Sequence, residues 1–148
     1  MSFSKFFDET GKPVFYKNKI ISIGDVVPVL SKEQLFKLTF EETNSDWEQG
    51  IFVGSKKAHF LGADFEKING FYLWQTESEK EVFFTISAPL KKIDVWNIWR
   101  IDKGPMQYGH NGGALYFEII DNGKRYFCTD GYPDDDFDDL IFTLTWDK

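Results

Sequence analysis

Ala114-Leu115-Tyr116-Phe117-Glu118-Ile119-Ile120-Asp121-Asn122-Gly123-Lys124-Arg125-Tyr126-Phe127-Cys128-Thr129 is the stretch that decides the fold. Two runs, Ala114–Ile120 and Lys124–Thr129, flank the turn-forming Asp121-Asn122-Gly123. Their aromatic and β-branched side chains suit a pleated, half-buried surface. Asn-Gly supplies the positive φ angles of a type I′ turn, so the segment predicts a β-hairpin. Alternation places Cys128 on the same face as Tyr126.

The same rhythm runs outward in both directions, with turn signals every ten residues or so. Val14–Tyr16 and Lys19–Ile23 flank a tight turn at Lys17-Asn18. Val26–Leu30 contains Pro28, which cannot donate to a ladder, so it predicts an edge strand or extended loop. Ser31-Lys32-Glu33-Gln34 has the form of a helix capping box. The alternation of Phe36, Leu38 and Phe40 predicts a strand there instead. Asn44–Gly50 is polar and predicts a loop with Trp47 in its middle.

Ile51–Val53 and Ala58–Leu61 read as short strands, and Asp64–Ile68 as one helical turn. Phe71–Gln75 and Val82–Ser87 read as a strand pair joined by Thr76–Glu81. Ile93–Arg100 is apolar on both faces, as in a strand buried between two layers. Leu140–Trp146 reads as the closing strand.

Composition agrees. Aromatics reach 18% of the 148 residues, while Ala, the strongest helix former, occurs only at positions 58, 63, 88 and 114. The expected fold is all-β, an antiparallel β-sandwich or partly closed barrel, in a single domain over residues 1–148. A mixed α+β fold with one short helix is the alternative.

Charge is concentrated in one place. Asp130-Gly131-Tyr132-Pro133-Asp134-Asp135-Asp136-Phe137-Asp138-Asp139 carries six carboxylates and no Lys or Arg. Residues 130–148 have a net charge of -6, out of -7 for the whole chain. Crowded carboxylates repel one another, so an ion, a cationic partner or solvation must relieve them. Asp and Asn also shape turns through their own backbone. Under that simpler reading Phe137 enters the core and the acids face water.

Asp134-x-Asp136-Phe137-x-Asp139-Leu140-Ile141-Phe142, preceded by Asp130, resembles the D-x-D-[FY]-N-D-[LF]-V-[FV] signature of bacterial extracellular β-sandwich domains, some of them calcium-binding. The match covers about a dozen residues and has Asp138 where that family has Asn. The resemblance implies calcium as a ligand, with Asp134, Asp136 and Asp139, and further Asp130, as candidates. The spacing is not that of an EF-hand loop, which needs a central Gly and a terminal Glu.

In general character the chain is similar to bacterial toxin-immunity proteins: short, acidic, rich in aromatics and without an enzyme motif. That similarity implies a cytoplasmic inhibitor whose carboxylates occupy the basic cleft of a cognate toxin. An acidic patch steers a cationic partner and repels wrong ones. The expected partner-facing residues are Asp130, Tyr132, Asp134, Asp135, Asp136, Asp138 and Asp139, with Trp47 as an exposed aromatic anchor.

Other chemistry is weaker. One cysteine excludes an internal disulfide. Cys128 with His110 and a loop acid could form a nucleophilic arrangement, although a single Cys is usually a small buried hydrophobe. One Cys and two distant His, His59 and His110, make no zinc pattern. The scattered basic pairs make no stripe for nucleic acid, and no run approaches the ~20 apolar residues of a membrane helix. A cytoplasmic, non-enzymatic binding protein with no cofactor is therefore expected. The alternative is a calcium-stabilised β-sandwich module that binds carbohydrate or another surface ligand, with tryptophans such as Trp47 lining its face.

Overall fold

The computed structural model describes residues 13–29, 34–55, 60–61, 67–68, 70–85, 92–108, 113–130 and 136–146. Strands make up the architecture, and no helix occurs among the described residues. In chain order they are β1 (Val14–Tyr16), β2 (Lys19–Ile21), β3 (Asp25–Pro28), β4 (Leu35–Thr43) and β5 (Glu48–Gly54), then β6 (Phe60–Leu61), β7 (Lys67–Ile68), β8 (Gly70–Trp74) and β9 (Glu81–Thr85), and finally β10 (Lys92–Arg100), β11 (Ala114–Ile120), β12 (Gly123–Thr129) and β13 (Leu140–Trp146).

Two antiparallel sheets form the sandwich. One has the order β3-β10-β5-β8, the other β11-β12-β13-β4-β9. Alternation sends Val27, Ile51, Val53, Ile93 and Val95 inward from the first sheet. They meet Phe36, Leu38, Phe40, Tyr126, Cys128, Leu140, Phe142 and Leu144 from the second. Each fully buried large side chain contributes roughly 1.5–3 kcal/mol, so this cluster holds the layers together. Tyr126 stacks on Phe142 with centroids 4.7 Å apart, and Phe36 stacks on Phe84 at 5.1 Å.

A smaller core lies on the opposite face of the larger sheet. The β1–β2 hairpin turns through Lys17 (φ 46°) and Asn18 (φ 67°). It packs Ile21 against Ala114 and Phe137, with Val14, Tyr16, Ile23, Tyr116 and Phe127 around them. Reciprocal backbone bonds between Ser22 and Leu115, 2.9 and 2.8 Å, tie the hairpin to β11. The loop residue Phe137 is thus part of the fold, not of the surface.

Several local expectations hold. The Phe36, Leu38, Phe40 alternation is β4, and β3, with Pro28, lies at a sheet edge. The β11–β12 hairpin forms in the expected place, with Ile120 opposite Gly123. Its turn residues are Asp121 and Asn122, and Asn122 takes the left-handed conformation (φ 58°). Gly123 instead opens β12, where an added Cβ would collide with the Leu144 carbonyl oxygen.

Other expectations need correction. β8 and β9 do not pair. β8 pairs with β5 and β9 with β4, so the 75–80 connection arches from one sheet to the other. The Asn44–Gly50 loop is shorter than expected, because β5 begins at Glu48. Where a helical turn was expected to reach Ile68, Lys67–Ile68 pairs with Phe60–Leu61. β10 is central in its sheet, as expected, with Ile93, Val95, Asn97 and Trp99 buried inward and Ile98 buried on the outer side. Trp96, beside Ile98, is only half-buried.

Candidate functional site

The strands β12 and β13 leave the five-stranded sheet at the acidic loop, and two carboxylates close its neck. Asp139 accepts hydrogen bonds from Thr129 Oγ1 (3.1 Å) and from the backbone N–H of Asp130 (2.9 Å). Asp130 accepts from Ser45 Oγ (2.6 Å) and Gln49 Nε2 (2.9 Å). Both residues are buried, at 1% and 3% exposure for Asp130 and Asp139. The sequence placed them among the partner-facing acids. The structure turns them inward, because they satisfy buried donors that would otherwise be orphaned.

Between them, Phe137 enters the smaller core and meets Tyr116 edge-on at 5.3 Å. Asp136 is exposed and Asp138 half-buried. The Asp138 carboxylate accepts from Asn44 Nδ2 at 2.9 Å. Tyr132, Asp134 and Asp135 lie outside the described residues, as do His59 and His110.

The β4–β5 turn is built into the same end. Asn44 N–H donates to the Asp139 carbonyl (3.1 Å), and Ser45 Oγ accepts from Trp47 N–H (3.1 Å). The structure therefore brings Trp47 beside Asp130, Asp138 and Asp139, although more than eighty residues separate them. Trp47 is half-buried and lines a cleft of about 370 Å³ with Asp46, Glu48, Gln75, Thr76 and Lys103.

A charged network that the sequence did not reveal forms one wall of this cleft. Arg100 clamps Glu48 through Nε (2.6 Å) and Nη2 (3.1 Å), and it also reaches Glu77 at 3.0 Å. Its guanidinium lies 4.0 Å from the Trp74 ring centroid. Lys103 bridges Glu48 (3.4 Å) and Glu77 (3.2 Å). The Arg100 hydrogen bonds, against an opposing burial effect and with help from Thr76 and Lys103, hold the Glu48 carboxyl down at about 2.

A group with a depressed folded-state pKa stabilises fully above its ordinary value, and that contribution is lost as pH falls through the folded one. Glu48 should therefore withdraw support between 4.5 and about 2. The loss is on the order of 2 kcal/mol after solvent screening. Denaturant unfolding should show Glu48→Gln well below the parent at neutral pH, with the gap closing near pH 2. A gap that persists unchanged in acid would show that Arg100 does not act on Glu48 through its charge.

Aromatic rings also run across the outer face of the four-stranded sheet. Tyr72, Phe52, Trp96 and Tyr108 follow one another with centroid distances of 5.2, 4.3 and 6.3 Å. Phe52 and Trp96 lie nearly parallel, at 24°. Rings stacked this way cover one face of each other.

Cys128 is fully buried. Burial, and then the Asp139 charge, push its thiol well above the ordinary range. It stays protonated and out of reach, which removes it as a nucleophile. Among the described residues, no group of three or more His, Cys, Asp or Glu side chains is placed to hold a metal ion. Among the described residues there is no helix, and so none long and apolar enough to cross a membrane. Comparison with protein-family models, with curated proteins and with solved structures finds no match for this chain.

Proposed function

We propose that this chain works by binding, and that its acidic end inhibits a basic partner, as an immunity protein does a cognate toxin. One observation carries the proposal, the rooting of the loop. Asp130, Phe137 and Asp139 turn inward and fix its base, while Asp136 stands in solvent and Asp138 lies beside it. A loop fixed at its base presents charge with less ordering cost on binding. Trp47, on the adjoining turn, adds an aromatic anchor beside the charges. The mechanism is steric and electrostatic occlusion of a cationic cleft, with Asp134 and Asp135 joining Asp136 and Asp138.

The test measures association with a basic toxin domain offered as the partner. Asp136→Lys should slow association roughly tenfold at low salt, with the difference vanishing at high salt, because exposed charges are screened there. Equal association rates at low salt would overturn the proposal.

A second reading, a sandwich module for carbohydrate or another small polar ligand, is favoured by the Trp47 cleft. Its ring and hydrogen-bonding groups have the composition such a ligand needs. Binding that ignores salt and is lost in Trp47→Ala would select this reading.

A further inference from the structure

We infer that the end of the larger sheet remote from the acidic loop is a self-association surface, on which a second copy of this chain packs face to face through Phe15, Ile20, Phe117 and Ile119. The starting point is one row of side chains. Leu115, Phe117 and Ile119 alternate onto the inward face of β11, and their exposure climbs along the strand from 0% to 37% to 81%. Leu115 belongs to the main core. Beyond it the row runs out from under the smaller sheet, which has four strands against five.

The β1–β2 hairpin extends the same surface. Ser22 bridges Leu115, and Phe15 lies opposite Ile20. Residues paired across antiparallel strands share a face, as do residues two apart along one strand. Ile20 and Phe15 therefore fall on the Phe117 side, and they are 66% and 74% exposed. Their neighbours Val14, Tyr16 and Ile21 take the other side and fill the smaller core. Large apolar side chains scattered singly on a surface need no explanation, but four gathered on one face mark an interaction site.

The area fits a second copy. These four side chains leave about 500 Å² of apolar surface uncovered. Two such faces bury about 1,000 Å² between them, the lower bound for a specific interface, so the pairing is weak and concentration-dependent. Charge permits it. Residues 130–148 hold -6 of the net -7, whereas the β11–β12 hairpin balances Glu118 and Asp121 with Lys124 and Arg125. Phe137 of the acidic loop packs against Ala114, and Ile119 stands roughly 16 Å further along the strand. The Phe117 ring is fixed before contact, which lowers the ordering cost of binding. Lys124 Nζ lies 4.0 Å from its centroid and is anchored to Asp25 at 2.9 Å. Faces meet here, not edges. Ser22 fills the lane beside Leu115. A two-fold pairing of the rest of β11 would centre on Glu118 and set it against the same carboxylate of the second copy.

The full chain is followed by sedimentation velocity from about 1 μM to about 1 mM. The average mass should rise toward that of two chains. It should rise no less at high salt, because the contact is apolar and salt screens the repulsion between acidic copies. Each residue of a two-fold interface acts twice, so Ile119→Lys should weaken pairing at least about hundredfold. Phe15→Ser, on the hairpin, should weaken it in the same way. Both side chains are mostly exposed, so both variants should melt with the parent. Tyr72→Lys alters an exposed ring on the other sheet and should pair as the parent does. A single-chain mass at every concentration would overturn the inference. So would pairing that survives Ile119→Lys and Phe15→Ser and fails in Tyr72→Lys, since the copies would then meet through the aromatic rings of the smaller sheet. Capture of a basic partner weakens with salt and is read in the acidic-loop variants, so either proposal can fail without the other.

Discussion

Phe137→Ala is expected to lower the unfolding free energy by about 3–5 kcal/mol and to slow capture of a basic partner. The ring is 2% exposed and packs against Ile21, Ala114 and Tyr116. Lys19 Nζ lies 5.9 Å from its centroid and 4.4 Å from that of Tyr116. Yet the backbone at Phe137 is left-handed, with φ 56°, a conformation that costs an L residue roughly 1–2 kcal/mol. Ring burial outweighs that strain. Glycine loses the ring but relieves the backbone, so Phe137→Gly should be milder than Phe137→Ala by about 1 kcal/mol. Urea unfolding of the two variants decides the matter. Should alanine prove the milder change, the left-handed strain is not what the ring holds in check.

Asp139→Ala should be about as damaging, at about 3–5 kcal/mol, because it strands two buried donors at once. Thr129 Oγ1 and the Asp130 N–H both depend on the Asp139 carboxylate. Asp139→Asn keeps one oxygen in place and should cost about 1–2 kcal/mol. The clearest readout is amide exchange at Asp130, which should accelerate strongly in the alanine variant and modestly in the asparagine one. Unchanged exchange in Asp139→Ala would mean that the neck is closed by other groups.

The parts of the fold legible in the sequence are those set by neighbours along the chain. Phe36, Leu38 and Phe40 alternate, Pro28 cannot enter a central strand, and Lys17-Asn18 and Asp121-Asn122-Gly123 mark turns, although the second turn closes one residue earlier than Asn-Gly suggested. The partnership of strands was less visible. Thr76–Glu81 has the composition of a hairpin loop, but the same composition serves an arch between two layers. Only the finished sandwich decides that β8 belongs with β5 and β9 with β4.

The site divides in the same way. The sequence left Phe137 open between a core plug and an anchor for a partner, and the structure buries it. Nothing in the run of aspartates distinguishes Asp130 and Asp139 from Asp136, because the difference comes from Ser45, Gln49 and Thr129. The Glu48–Arg100 clamp joins residues 52 apart, with no local signal. Gln49 and Asn97 look like surface residues in sequence and become interior ones only through their register on β5 and β10.

One consequence follows from the place of β13 between β12 and β4. During translation, β4 is made about a hundred residues before the strand that completes its ladder. Until residues 140–146 clear the ribosome, the larger sheet exists as two unjoined halves, each with an open apolar margin. Such distant pairing folds slowly. Until β13 joins them, those margins are open to pairing with another chain.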